Sequence, residues 1–183
     1  ETSLDEDNDV QMTEEDTNDE KKTAGTSAFD FFKHDKVLQD SITQFVCDLS
    51  SANVKTAEVC REVLQCVSDQ TGLELVQLMD HSKSFLLSPI FSKPLRALPF
   101  SMQIGNINAI YYCLSLRNTF LSFDDELVRF LHEAVVLVDA DDESLASRHR
   151  LDEYVVSQQL IQLRISCIKL LSEALNHEAY AHL

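Results

Sequence analysis

The chain has 183 residues, 31 acidic and 15 basic side chains, a formal charge of −16 and 44% hydrophobic residues. With three glycines, three prolines and no tryptophan, it is neither collagen-like nor a Pro/Gly low-complexity chain. No run approaches the roughly 18 apolar residues of a membrane span. Phosphate affinity needs clustered Lys and Arg, which argues against nucleic-acid binding along the chain.

The charge is uneven. Residues 1–22 hold ten acids against two bases, half of the whole net charge, with only Leu4, Val10 and Met12 as apolar groups. So little apolar surface cannot offset the entropy of ordering. A Thr-Ala-Gly-Thr-Ser run at 23–27 reads as a flexible joint. Residues 1–27 are therefore predicted to be a disordered acidic segment, and 28–183 a helical-repeat segment of a larger protein. The tail reads either as a solvated loop between two elements or as an acidic contact for a basic partner. The chain opens on Glu1 without a signal-like segment, as if cut from a longer protein.

The body reads as helix after helix. Leu38, Ile42, Phe45, Val46 and Leu49 gather on one side of a helix over about 36–51. Ala57, Cys60, Val63, Leu64 and Val67 repeat the pattern over about 54–69, ending at Gly72 as a left-handed cap. A third helix is predicted over about 73–87 from Leu75, Leu78 and Met79. Pro89, Pro94 and Pro99 do not suit a helix interior, so 88–100 is predicted to be a turn-rich connector.

Ile104, Ile107, Ile110, Tyr111 and Leu114 mark a fourth helix over about 101–116. Ser122 and Asp125 have capping-box spacing. The helix they open buries Leu127, Phe130, Leu131, Ala134 and Val138, and ends in the acidic run 139–143. Val156, Leu160, Leu163, Cys167, Leu170, Leu171 and Ala174 mark a last helix over about 152–178. No segment reads as a strand, so the fold class is all-α. The six helices pair into units of the size of HEAT, armadillo or TPR hairpins, which predicts an α-solenoid; a closed helical bundle is the alternative architecture.

Chemistry is hard to place on this chain. Cysteines at 47, 60, 66, 113 and 167 form no C-x-x-C pair and read as free thiols in a reducing compartment, largely buried. Asp139, Asp141 and Glu143 alternate as in a calcium loop, but Ser144 and Arg150 stand where Gly and Glu belong, so the run reads as an exposed acidic helix end. The six histidines show no H-E-x-x-H arrangement, and glycines 25, 72 and 105 never cluster into a phosphate loop. No catalytic, metal or cofactor-binding residue is assigned, and no cofactor is expected. Two basic spots interrupt the acid, Lys93 with Arg96 in the connector and Arg148 with Arg150 before the last helix. These four are the candidate partner contacts, because guanidinium and ammonium groups hold carboxylates or phosphates. The connector's Ile90, Phe91, Leu95, Leu98 and Phe100 must either tuck into the solenoid or meet something else.

From the connector onward the residues resemble the TRRAP family. The resemblance is carried by Ser92-Lys-Pro-Leu-Arg96, Gln103-Ile-Gly-Asn106 and Ala109-Ile-Tyr-Tyr-Cys-Leu-Ser-Leu-Arg117. It continues through Glu126-Leu-Val-Arg-Phe-Leu-His-Glu-Ala134, Ala140-Asp-Asp-Glu143 and Leu163-Arg-Ile-Ser-Cys-Ile-Lys-Leu-Leu171. It covers about residues 73–175, with only a general helical likeness in 1–70 and no match to the acidic run. TRRAP-type proteins are very large relatives of the phosphatidylinositol-3-kinase-like kinases whose kinase domain has lost its catalytic residues. The resemblance implies a non-enzymatic, nuclear solenoid segment that scaffolds histone acetyltransferase coactivator complexes. Its implied partners are complex subunits and transcription activators, with no direct nucleic acid, membrane or small-molecule substrate. The alternative is an independent acidic histone-binding or chaperone-like protein that uses residues 1–22. A solenoid segment should also expose an apolar face on its first and last helices, since repeats contact only their neighbours.

Overall fold

Apolar side chains at helical spacing, several runs opened by a side-chain cap, build the framework. The computed structural model describes residues 30, 32–117, 119–147 and 153–178. Helix α1 runs Lys36–Cys47 and α2 runs Val54–Thr71. Asp35 opens α1 by accepting the Leu38 N–H at 2.9 Å. Asn53 opens α2 by accepting from Lys55 at 3.0 Å and Thr56 at 3.4 Å. Both caps satisfy first-turn donors that have no partner within the helix. Helix α1 stops short of residue 51 because Asp48–Ser50 tighten into a 3-10 turn that buries Leu49. Gly72 closes α2 at φ 71°, the left-handed cap expected of it.

The segment predicted as one helix over 73–87 is two. Helix α3 spans Leu75–Asp80 and α4 spans Lys83–Phe91. Buried Ser82 stands at the break and shares a 2.8 Å hydroxyl hydrogen bond with Thr43 of α1. Pro89 lies inside α4, against the expectation that all three prolines fall outside helices. Its missing N–H removes only the bond to the Phe85 carbonyl. Phe85 and Pro89 are both exposed, so the lost bond falls on the solvent side of α4. Pro94 and Pro99 behave as expected, preceding the 3-10 turn Leu95–Ala97 and helix α5, Phe100–Leu114.

Helix α6 runs Asp125–Asp139, and its cap is Asp124 rather than Ser122. Asp124 directly precedes the first helical residue and accepts the Leu127 N–H at 3.0 Å, a role for which Asp is as good as Ser. The acidic run does end α6, but it also starts a short helix, α7, Asp142–Ala146, opened by Asp141. Helix α8 then covers Glu153–Asn176. No strand occurs among the described residues.

The helices stack in two rows. Helix α1 packs on α4 and α4 on α6, while α5 packs along α8. Between the rows, α1 pairs with α2 and α6 with α8. The 3-10 turn Asp48–Ser50 lies against both α2 and α5 and joins the second row. This is the open order of stacked hairpins rather than a closed bundle. Its middle unit is irregular, because α5 leans chiefly on α8. Helix α5 is buried around most of its circumference, from Gln103–Ile107 to Cys113 and Leu114, and forms the centre of a continuous core.

Candidate docking surface

The proline connector folds inward. Ile90, Phe91, Leu95, Leu98 and Phe100 are all buried, which decides for tucking into the stack. Helix α6 holds the connector with two charged side chains one turn apart. Arg129 Nη2 donates to the Phe91 carbonyl at 2.6 Å, and Glu133 Oε2 accepts the Leu95 N–H at 2.6 Å. Residues four apart on a helix face the same way. They meet backbone groups that are also four apart in the connector. Arg129 and Glu133 approach each other at 3.8 Å, but Arg129 is half exposed and that ion pair adds little by itself. The Phe91 and Phe130 rings meet edge to face at 5.7 Å behind the clamp.

Outside the clamp lies a groove of about 700 Å³, lined by Pro94, Arg96, Val128, His132, Val135 and Val136 among others. A second hollow of about 160 Å³ sits between α6 and α8, where Val128, His132 and Val135 face Leu171 and Leu175. The shared residues make one continuous and largely apolar surface. Of the candidate partner contacts, Arg96 lines the groove and Lys93 is exposed in the adjoining connector. Arg148 and Arg150 lie outside the described residues. The structure therefore brings Arg96 to a cavity.

The acidic run near 139–143 has structural duties. Asp141 caps α7 by accepting the Ser144 N–H at 2.7 Å, which holds its carboxyl below the usual carboxylate range. Arg164 of α8 reaches Asp142 at 2.6 Å and donates to the Ala140 carbonyl at 2.7 Å. The five cysteines are free, with Cys60, Cys113 and Cys167 buried, Cys47 half-buried and Cys66 exposed. Burial pushes the Cys113 and Cys167 thiols up to about 12, so neither is a nucleophile at neutral pH.

The fold and the groove's geometry meet a family of the same build. The family model of the Tra1 HEAT repeat ring region matches residues 6–182. The chain belongs to the Tra1 family. It is 58% identical over 147 residues to the Saccharomyces cerevisiae SAGA complex/NuA4 acetyltransferase complex subunit TRA1, covering 80% of this chain and 4% of that protein. It is 38% identical over 136 residues to the Schizosaccharomyces pombe SAGA complex/NuA4 acetyltransferase complex subunit Tra1, covering 74% and 4%. The chain thus spans a small part of the length of these curated relatives. The TRRAP-family resemblance holds, and it reaches well beyond residues 73–175. The family match begins at residue 6 and takes in most of the acidic run.

Of three further features of this Tra1-type segment, two had no distinctive signal in the sequence. Arg129 and Glu133 look like an ordinary i, i+4 surface pair. Gly105 looks like an isolated helix glycine. Ile161, Ile165 and Ile168 did carry a signal, recurring at helical spacing opposite the buried stripe of α8 and making that helix apolar on two sides.

Proposed function

We propose that the chain is a non-catalytic scaffold segment of a Tra1-like transcription coactivator, a nuclear subunit of histone acetyltransferase complexes. The observation that carries this reading is the family match over residues 6–182 together with 58% identity to a SAGA/NuA4 subunit. In this reading residues 28–183 belong to a longer α-solenoid, and residues 1–27 form an acidic appendage. The work done is positioning. Stacked helices hold a fixed curvature, and the connector and groove present a surface to neighbouring subunits or activators. Arg96, with Lys93, Arg148 and Arg150, supplies positive charge to acidic partner groups. Asp35, Asp124 and Asp141 serve as helix caps, Arg129 and Glu133 as the connector clamp, and Arg164 with Asp142 as the α7–α8 tie, so these charged groups do structural work. The partners are proteins rather than nucleic acid, membrane or a small substrate.

Affinity capture from nuclear extract tests this. The tagged full-length polypeptide should retain acetyltransferase subunits after deletion of 1–22 and lose some of them after Arg96→Glu with Lys93→Glu. Loss of all capture on deleting 1–22 alone would overturn the scaffold reading in favour of an acidic histone-binding protein.

A further inference from the structure

Helix α8 is apolar twice over. Its inner stripe, including Leu160, Leu163, Cys167 and Leu170, is buried against α5 and α6. On the opposite side Ile161, Ile165, Ile168 and Leu175 are 58%, 42%, 53% and 63% exposed. At ~100° per residue these four fall within a sector only ~80° wide. The other described residues of that sector are Tyr154, Ser157 and Ser172, so it contains no charged side chain. That is unusual in a chain of which 25% is charged. The solvent side of α2 is mixed by contrast, with Lys55, Glu58, Glu62 and Asp69 exposed beside Val59 and Cys66. The charge-free side of α8 is thus built for a partner and not for solvent.

The face is two helices wide. Leu175 and Leu171 line the hollow shared with Val128 and Val135, so the apolar surface passes from α8 onto α6. Helices α6 and α8 are the last members of their rows in chain order. A hairpin laid on them would continue the stacking by which α6 already covers α4 and α8 covers α5.

We infer that the outer α6–α8 face is a repeat-to-repeat interface, with Ile161, Ile165 and Ile168 seated against an adjacent helical hairpin of the same, longer polypeptide. This rests on the scaffold reading above. Three observations select that occupant. The matched region is 4% of each relative, which leaves ample chain to supply the hairpin. In a repeat array each unit covers the apolar face of its neighbour. A second copy would bring another net charge of −16 against the first, and self-repulsion opposes such a pairing.

Site-specific labelling tests the inference. The thiol introduced by Ile165→Cys is labelled in the 183-residue chain and in the full-length polypeptide, each rate normalised to the same denatured chain. We expect labelling at least tenfold slower in the full-length polypeptide, and near the denatured rate in the 183-residue chain while its buried Cys113 and Cys167 stay unlabelled, which marks that chain as folded. Equal, fast labelling in both would overturn the inference. So would protection in the short chain that grows with its concentration, which identifies a second copy as the occupant. Protection that develops only when other complex subunits are added would also overturn it, while leaving the scaffold reading intact. As a fold check, Ile168→Asp should leave the helicity of the 183-residue chain unchanged and raise protease cleavage of the full-length polypeptide near α8; unchanged cleavage counts against the interface.

Discussion

Gly105 lies so close to the carbonyl of Ser50 that a Cβ at its position would stand 2.5 Å from that oxygen and 2.6 Å from the Ser51 oxygen. Helix α5 and the 3-10 turn Asp48–Ser50 approach backbone to backbone at this point, 55 residues apart in the chain. The absence of a side chain is what lets the turn join α2 to α5. Two effects then compete at this residue. Helix propensity favours Ala over Gly by about 1 kcal/mol. Crowding against backbone atoms that cannot rotate away costs about 1–3 kcal/mol.

Gly105→Ala is therefore expected to be destabilising, seen as a lower urea midpoint. Gly72→Ala should also cost about 1–2 kcal/mol, for the different reason that φ is 71° with open space around it. A Gly105→Ala variant as stable as the parent would show that the turn gives way freely.

Glu133 is the acceptor for the N–H of Leu95, a residue with no exposed surface. Glu133→Ala strands that donor, at about 1–3 kcal/mol. Glu133→Gln keeps an acceptor oxygen and should lose clearly less. Hydrogen exchange at the Leu95 amide checks the cause directly. It should accelerate in Glu133→Ala and stay slow in Glu133→Gln.

Leu131 and Val135 are neighbours on α6 with opposite fates. Leu131 is 5% exposed and Val135 is 47% exposed. Leu131→Ala should cost about 2–5 kcal/mol through lost burial and a residual cavity. Val135→Ala in the 183-residue chain should change stability by no more than about 0.5 kcal/mol. Chemical denaturation of the two variants side by side decides whether the core boundary runs between them.

The buried thiols set a pH dependence. Cys113 and Cys167 are pushed up to about 12 in the fold, whereas an unfolded thiol ionises near ~8.5. The folded chain holds these protons more tightly than the unfolded chain. Their contribution to stability is thus complete below pH ~8.5 and is lost progressively as pH rises toward 12. Urea midpoints measured between pH 8 and 11 should fall, and should fall less steeply in Cys113→Ala with Cys167→Ala. In thiol labelling of the native chain Cys66 should react first.

The all-α class, the helical cores and the inward stripe of α8 were legible from spacing. Ile42, Val46, Leu64, Ile110, Leu127, Leu163 and Leu170 are all buried as their periodicity requires. Gly72 was legible as a cap because a left-handed terminus is a local need. Pro89 misled, since the rule against helix prolines counts one lost bond and cannot see that this bond falls on the exposed side of the helix. The cap at Asp124 was missed because Ser122 offered the same chemistry two residues earlier. Of the groove, Arg96 was legible as an exposed charge, but the hollow beside it was not.

What the sequence by itself determined is which residues turn a helix and which side of each helix leaves water, because both depend on neighbours three or four positions away. It also carried family membership through several ordered runs of residues. Only the tertiary structure decided that α5 stacks along α8, that Gly105 receives the Ser50 carbonyl, and that Arg129 and Glu133 hold backbone 38 residues distant. Periodicity marks a face as apolar without naming what covers it. That choice is made by packing between segments far apart in the chain, where shape and unpaired backbone groups, rather than spacing, set the free energy.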